Sequence, residues 1–179
     1  MSLYLKKVDG SLDNREKWKQ INDDAFPPVE RMDIDRLMEL STKDCFELLS
    51  AYDGAALIGF TLLGISQHCA YIFLLAVDKE RRSKGYGSLI LSKIRSRYPD
   101  HQIVLDLEGI DLQADNNAQR IMRKNFYLRN GFHETGCFMD YFGIRFEVLC
   151  SDPILDASNF SCLLDRINQE DFHLAIHRG

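Results

Sequence analysis

The hydrophobic pattern in the first part of the chain changes from strand-like to helical. Residues 3–8 predict a short first strand, and apolar residues at helical spacing from about residue 13 predict a helix. Pro27 and Pro28 end that helix, since proline lacks the N–H that a helix interior needs. Residues 29–41 then predict a loop that leads into a short second helix.

The next segment is dominated by apolar runs with strand character. Residues 45–52 and 55–64 predict two strands, and Asp53-Gly54 between them predicts a tight hairpin turn because both residue types tolerate positive φ angles. Residues 70–77 predict a third strand that is apolar on both faces, as is typical of a strand covered on both sides. An all-parallel sheet does not begin with such a hairpin.

The second half alternates helix and strand patterns, with no internal repeat, low-complexity segment or interdomain linker. This order predicts a mixed sheet in a single α/β or α+β domain over residues 1–179. The predicted elements are a helix from Lys84 to Pro99, a strand over 102–108, a helix over 116–130 with Asn116 or Asn117 as its N-cap, a strand pair over 131–151 turning near 141–143, and a short helix within 159–169 followed by a last short strand or a frayed end.

Composition and charge narrow the class of protein. The chain has 179 residues, of which 45% are hydrophobic and 27% charged, with a formal net charge of −5. This charge disfavours nucleic acid and anionic membranes as partners. No apolar run approaches the roughly 18 residues that span a bilayer, and the chain does not open with a signal-peptide pattern, so we expect a cytoplasmic protein. Five cysteines without a C-x-x-C pair, and five scattered histidines, predict no metal site.

The segment RRSKGYGS, residues 81–88, stands where a strand turns directly into a helix. The first N–H groups of such a helix have no partner and form an anion site. Gly85 and Gly87 let the backbone approach a phosphate closely, and Arg82 and Lys84 add positive charge. The alternative is a glycine-containing helix start with a solvated basic edge.

Two common phosphate motifs do not describe this turn. The pattern G-x-x-x-x-G-K-[ST] is absent. The dinucleotide fingerprint requires a third glycine where Ile90 stands, although Glu108 meets the spacing of its acidic residue. A dinucleotide-binding oxidoreductase therefore stays only a distant alternative.

Two motifs together resemble the GCN5-related N-acetyltransferases. The first is V-x-x-x-x-R-x-x-G-x-G at Val77, Arg82, Gly85 and Gly87, and the second is FYLRNGF at 126–132. The resemblance implies a mostly antiparallel, mixed sheet of about seven strands, flanked by helices, with a splayed central strand pair. It also implies direct transfer of the acetyl group from acetyl-CoA, the co-substrate, to a primary amine of a small molecule or peptide.

The resemblance covers a core of about 3–151, with residues 152–179 as a C-terminal extension. It implies that the glycine turn holds the CoA pyrophosphate and that the end of the preceding strand pairs with pantetheine. Asn117 is a second pantetheine contact or only a helix cap, since Arg120 stands at the family's usual asparagine spacing. The implied CoA-binding residues are Leu75, Ala76, Val77, Arg82, Ser83, Lys84, Gly85, Tyr86, Gly87 and Ser88.

The resemblance implies which residue is the catalytic acid, but it does not identify the catalytic base. Tyr127 is the expected proton donor to the departing thiolate, and it shares a helix face with Arg120 and Arg123; the alternative is an aromatic packed into the core. Glu108 is the preferred base, with Asp106 on the same face of its strand as an alternative. The solvated polar face of a strand would explain both carboxylates equally well.

The acceptor cannot be identified from the sequence. Glu30 is a further candidate base, and Glu30 and Arg31 are expected to bind substrate, because the segment after the first helix lines the acceptor side in this family. Segments 26–43 and 139–144 should line that pocket, and a homodimer is frequent in the family. A CoA-binding module without turnover is the principal alternative function.

Overall fold

The computed structural model describes residues 2–179, which contain eight strands and five α-helices. In chain order they are β1 (Leu3–Lys7), α1 (Arg15–Ala25), α2 (Ile34–Leu40), β2 (Phe46–Asp53), β3 (Ala56–Ile65), β4 (Cys69–Val77), α3 (Tyr86–Arg97), β5 (Gln102–Glu108), α4 (Asn117–Arg129), β6 (His133–Tyr141), β7 (Ile144–Cys150), α5 (Ala157–Ile167) and β8 (Ile176–Arg178).

The strands form an open sheet with the order β1-β2-β3-β4-β5-β7-β6-β8. The pairs β1–β2, β2–β3, β5–β7, β6–β7 and β6–β8 are antiparallel. The predicted α/β class and mostly antiparallel sheet are therefore confirmed. The strand count is eight rather than about seven, because the C-terminal tail adds β8 along β6, with Phe138 opposite His177.

The chain divides into two compact units. The first unit contains the residues up to Ile65 together with Ile72–Pro99, and the second contains Ser66–Tyr71 together with Asp100–Gly179. The boundary between the units falls inside β4. The single domain expected from the sequence stays a prediction.

The first unit is built on the β2–β3 hairpin, with α1 packed against it. Trp18 of α1 is fully buried and stacks on Phe60 of β3, with 4.5 Å between ring centroids. Gly59 of β3 lies against the end of β4, where an added Cβ would be 2.2 Å from the Ala76 carbonyl oxygen. Only glycine permits this approach without moving backbone, and the approach fixes the position of the last residues of β4.

Two arginines from outside α1 cap its C-terminal end, which has no basic residue in its last turn. Arg31 donates to the carbonyls of Asp23 and Phe26 at 3.0 and 3.1 Å, and Arg82 donates to the carbonyl of Asp24 at 2.9 Å. These bonds satisfy carbonyls that a helix end leaves unpaired and place positive charge at the negative end of the helix dipole.

The second unit carries α4 with an unusual distribution of polar residues. Met122, from the apolar stripe of this helix, is 63% exposed. The side chains of Arg120 and Lys124, from its polar stripe, are only 12% and 15% exposed and form ion pairs with Glu108 and Glu147 of the strands. The polar side of α4 thus faces the sheet, whereas an amphipathic helix usually buries its apolar side.

Candidate active site

The glycine turn leaves a helix N-terminus without a cap. Gly85 is the N-cap of α3 in the left-handed region, with φ +85°, and no side chain caps the helix. Leu89 is the first residue whose N–H bonds back to Gly85, at 3.1 Å, so the N–H groups of Tyr86, Gly87 and Ser88 have no acceptor within the helix. An added Cβ at Gly85 would meet nothing within 4 Å, so there is open space beside Gly85 itself. This geometry fits a phosphate group.

The side chains around the turn are engaged elsewhere. Arg82 donates to the carbonyls of Val77 and Asp24, at 3.1 and 2.9 Å, and Lys84 donates to the carbonyl of Glu80 at 2.8 Å. The hydroxyl of Tyr86 donates to Asp53 at 2.6 Å. Backbone donors rather than these side chains are therefore the groups available to an anion at this turn. Ser83 also adopts a left-handed conformation, with φ 59°, as the turn requires.

The end of β4 precedes this turn directly. Leu75 and Val77 are half-buried and Ala76 is fully buried. The Ala76 carbonyl faces Gly59, and the Val77 carbonyl accepts the bond from Arg82. The pairing of these residues with pantetheine stays a prediction.

The centre of the second unit holds a carboxylate between two tyrosines. Asp106 of β5 accepts a hydrogen bond from the Tyr71 hydroxyl at 2.5 Å and another from the Tyr141 hydroxyl on its other oxygen. Burial raises the pKa of Asp106 above its ordinary value, although both hydroxyl bonds act in the opposite direction. Asp106 as a whole residue is half-buried.

Tyr127 of α4 packs among aromatic rings and has a raised pKa. Burial, followed by the charge of Asp106, raises the pKa of Tyr127 to about 12, and Arg123 opposes that rise. Its ring contacts those of Phe126 and Phe132 edge-on. Among residues 2–179 its hydroxyl has no hydrogen-bond partner. The phenol thus stays protonated at neutral pH, and its O–H is available to a ligand.

Glu108 is held in ion pairs. Arg120 lies 2.8 Å from one of its carboxylate oxygens and Arg123 3.3 Å from the other. Asn116 donates to both oxygens, at 3.3 and 3.2 Å. These bonds occupy both oxygens of the carboxylate. This arrangement favours a structural role for Glu108, which ties α4 to β5, over the role of free base expected from the sequence.

The remaining predicted site residues have local structural partners. Asn117 accepts a bond from the Asp111 N–H at 3.1 Å, which closes the acidic loop before α4. The N–H of Glu30 donates to the Pro27 carbonyl at 3.0 Å. Arg31 caps α1 as described above. The contacts of these residues with pantetheine or substrate stay predictions.

The turn between β6 and β7 lines a cavity of 570 Å³ within the second unit. Its lining includes a part of the segment expected on the acceptor side. The lining residues are Gly109, Ile110, Asp111, Arg120, Lys124, Phe138, Gly143, Ile144, Arg145 and Glu147.

Comparison with known proteins identifies the family. Residues 44–134, more than half of the chain, match the model of the acetyltransferase (GNAT) domain. The chain belongs to this family of acetyltransferases, and acetyl-CoA is its co-substrate. No curated protein matches the chain. Because the chain belongs to the acetyltransferase family, the oxidoreductase alternative is abandoned.

Solved structures share the fold. A protein from Bacteroides thetaiotaomicron assigned to the GNAT family has 20% identity and a TM-score of 0.72, over 94% of this chain and 98% of that one. A GNAT acetyltransferase from Elizabethkingia anophelis with acetyl-CoA bound has 12% identity and a TM-score of 0.58, over 84% and 97%. A spermidine N-acetyltransferase variant from Vibrio cholerae has 19% identity and a TM-score of 0.60, over 83% and 92%.

Within residues 2–179, no helix is both long and apolar enough to cross a membrane. In the same part of the chain, no group of three or more His, Cys, Asp or Glu side chains is arranged to hold a metal ion.

Proposed function

We propose that this acetyltransferase transfers the acetyl group directly to a primary amine, with Tyr127 as the proton donor and Asp106 as the proton acceptor. The observation that carries this proposal is the unpartnered Tyr127 hydroxyl close enough to Asp106 for the carboxylate charge to affect its pKa. A direct transfer needs both groups, because the amine loses a proton and the departing thiolate gains one.

The acceptor half of the reaction requires a base. A free primary ammonium has a pKa of about 10.4 and cannot attack until it is deprotonated. Asp106 has a raised pKa, and Tyr71 and Tyr141 fix both of its oxygens. Asp106 takes the proton from the amine, directly or through one of the tyrosine hydroxyls. Once Asp106 is neutral, its charge no longer raises the pKa of Tyr127, so the phenol becomes a stronger acid for the second half of the reaction.

The donor half requires an anion site and an acid. Acetyl-CoA, when bound, supplies the acetyl group as a thioester. The uncapped start of α3 at Tyr86, Gly87 and Ser88 binds its pyrophosphate through backbone N–H groups. Tyr127 donates its proton to the sulfur as the carbon–sulfur bond breaks, and no acyl-enzyme is formed.

The acceptor is a primary amine of a small molecule or peptide. The net charge of −5 favours a cationic acceptor over an anionic one. The spermidine N-acetyltransferase of similar fold acts on such an amine. The cavity beside the β6–β7 turn combines apolar walls at Phe138 and Ile144 with charged side chains of both signs, which supports an acceptor that carries both apolar and polar groups.

The test is thiol release from acetyl-CoA across a panel of polyamines, aminoglycosides and peptide amines. Tyr127→Phe should lower kcat by about 10²-fold or more at nearly unchanged acetyl-CoA affinity, as expected for the loss of a general acid. Tyr4→Phe, at an exposed tyrosine of β1, is the matched control. Unchanged turnover of Tyr127→Phe would remove Tyr127 from the mechanism. Acetyl-CoA binding without thiol release for any amine would instead favour a binding module.

A further inference from the structure

Tyr86 is the residue that anchors the start of α3 by its side chain. Gly85, the N-cap of this helix, and Gly87 stand on either side of Tyr86 and have no side chain of their own. Tyr86 is only 4% exposed, so its ring is held by packing. The backbone at 85–87, which carries uncapped N–H groups, is therefore held through the contacts of Tyr86.

The Tyr86 hydroxyl bonds to the carboxylate of Asp53, the last residue of β2. It donates to Oδ2 at 2.6 Å, and the other oxygen, Oδ1, accepts the N–H of Ser2 at 2.9 Å. The bond from Tyr86 lowers the pKa of Asp53, and the same bond raises the pKa of Tyr86. At neutral pH the carboxylate is thus charged and the phenol keeps its proton, which makes this a charge-assisted hydrogen bond.

The backbone of Asp53 is fixed by strands on both sides. Asp53 pairs with Leu3 of β1 and with Ala56 of β3. All of these residues belong to the first unit, as does the glycine turn. The carboxylate therefore stands on a rigid part of the sheet, which is the kind of support that a preorganised binding site requires.

We propose that Asp53 is a positioning residue for the CoA pyrophosphate, because it holds Tyr86 and thereby aims the N–H groups of residues 86–88 at the anion. This inference rests on the proposed binding of acetyl-CoA by the glycine turn. Asp53 acts through Tyr86, since the charge of a carboxylate by itself repels a phosphate. Any gain in CoA affinity that Asp53 provides must therefore arise from the hydrogen bond.

The test is titration calorimetry of the full chain with CoA. Asp53→Ala removes both acceptor oxygens and should weaken CoA binding by about five- to tenfold. The loss of a negative charge near a phosphate site would alone have the opposite effect. Asp53→Asn removes the same charge but keeps an amide that bonds to a hydroxyl, so it should bind CoA more tightly than Asp53→Ala. Asp100→Ala removes an exposed carboxylate elsewhere and should bind CoA like the wild type.

Two further measurements assign the effect to the Asp53–Tyr86 bond. Tyr86→Phe removes only the hydroxyl and should weaken CoA binding about as much as Asp53→Ala. The double variant Asp53→Ala/Tyr86→Phe should bind no more weakly than either single variant, because both changes break the same bond. Pantetheine, which lacks the pyrophosphate, is the control ligand, and its affinity should change less than that of CoA. Circular dichroism at the titration temperature shows whether each variant is folded.

Three outcomes would overturn the proposal, and they have different meanings. If Asp53→Ala binds CoA as tightly as the wild type while Gly87→Val binds it weakly, the turn holds the pyrophosphate without help from Asp53. Equal losses of affinity for CoA and pantetheine would mean that Asp53 supports the first unit in general. Unchanged CoA affinity of Gly87→Val would contradict the anion site itself, and the role of Asp53 with it.

Discussion

The close approach of β3 and β4 at Gly59 makes Gly59→Ala the most informative single change in the first unit. The new Cβ would lie 2.2 Å from the Ala76 carbonyl oxygen and 3.3 Å from the Val77 Cα. An ordinary contact begins near 3.4 Å, so the oxygen would have to move by about 1.2 Å (3.4 minus 2.2). The obstacle is backbone, which cannot rotate away as a side chain can.

The hydrogen bonds around this point resist such a movement. The Asp78 N–H donates to the Ile58 carbonyl at 2.8 Å, and the Thr61 hydroxyl donates to the Leu74 carbonyl at 2.7 Å. Overpacking of this kind costs about 1–3 kcal/mol, and the reduced freedom of the unfolded chain returns about 0.4–1 kcal/mol. We therefore expect a net loss of about 1–2 kcal/mol, which lowers the Tm by about 2–8 °C in a chain of this length.

The same movement should affect the acetyl donor. Ala76 and Val77 are the residues proposed to pair with pantetheine, so acetyl-CoA affinity should fall together with stability. Gly109→Ala is the matched control, because its new Cβ would meet a carbonyl oxygen at 3.3 Å rather than 2.2 Å. Thermal unfolding and acetyl-CoA titration of both variants are the measurements. A Gly59→Ala protein as stable as Gly109→Ala would refute the argument from the 2.2 Å contact.

Three other changes test the charges and the anion site. The raised pKa of Asp106 means that the folded chain binds this proton more tightly than the unfolded chain does. Wild-type stability should therefore fall as the pH rises from about 4 through the folded pKa, and Asp106→Asn should remove this pH dependence. Urea unfolding of both proteins across this range is the measurement. Glu47→Gln removes the bidentate bond to Arg97. Hydrogen bonds lower the pKa of Glu47 despite its burial, so the stabilisation is complete above about pH 4.3 and is lost as the pH falls through the folded pKa. We expect the variant to lose about 1–3 kcal/mol of stability at pH 7 and to show a weaker dependence of stability on pH in acid. Gly87→Val should weaken CoA binding by about 10²-fold with little change in Tm, because a branched side chain would cover the N–H donors of the turn. Titration calorimetry measures the affinity, and an unchanged value would contradict the anion site.

The sequence predicted the elements whose patterns are local. The β2–β3 hairpin, the strand at 102–108 and the glycine turn each follow from residue types at fixed spacing. The hairpin loop itself is Gly54-Ala55, one residue later than the expected Asp53-Gly54, because Asp53 still pairs with Ala56 and only Gly54 of the loop has a positive φ. The tail strand β8 could not be placed, because three residues at the chain end form a strand only when β6 offers a partner.

The candidate site shows where local patterns are insufficient. Nothing near Asp106 distinguishes it from Glu108, since both alternate with leucines on the same strand. The difference arises from Tyr71 and Tyr141, each 35 residues away along the chain in opposite directions. Helical periodicity places Arg120 on one face with Tyr127, but it does not show that this face lies against the sheet; that position follows from the buried partner Glu108.

The hydrogen bonds of two arginines at the end of α1 link the stability of that helix end to the glycine turn. Arg82 belongs to the glycine turn, yet its guanidinium bonds to the Asp24 carbonyl, while Arg31 bonds to that of Asp23, one residue earlier. A ligand that orders the turn therefore also opposes fraying of the last turn of α1, and by reciprocity whatever stabilises that helix end prepares the turn for its ligand. Opening of the helix end and loss of the acetyl donor should then be coupled, and hydrogen exchange of the last turn of α1 with and without acetyl-CoA measures that coupling.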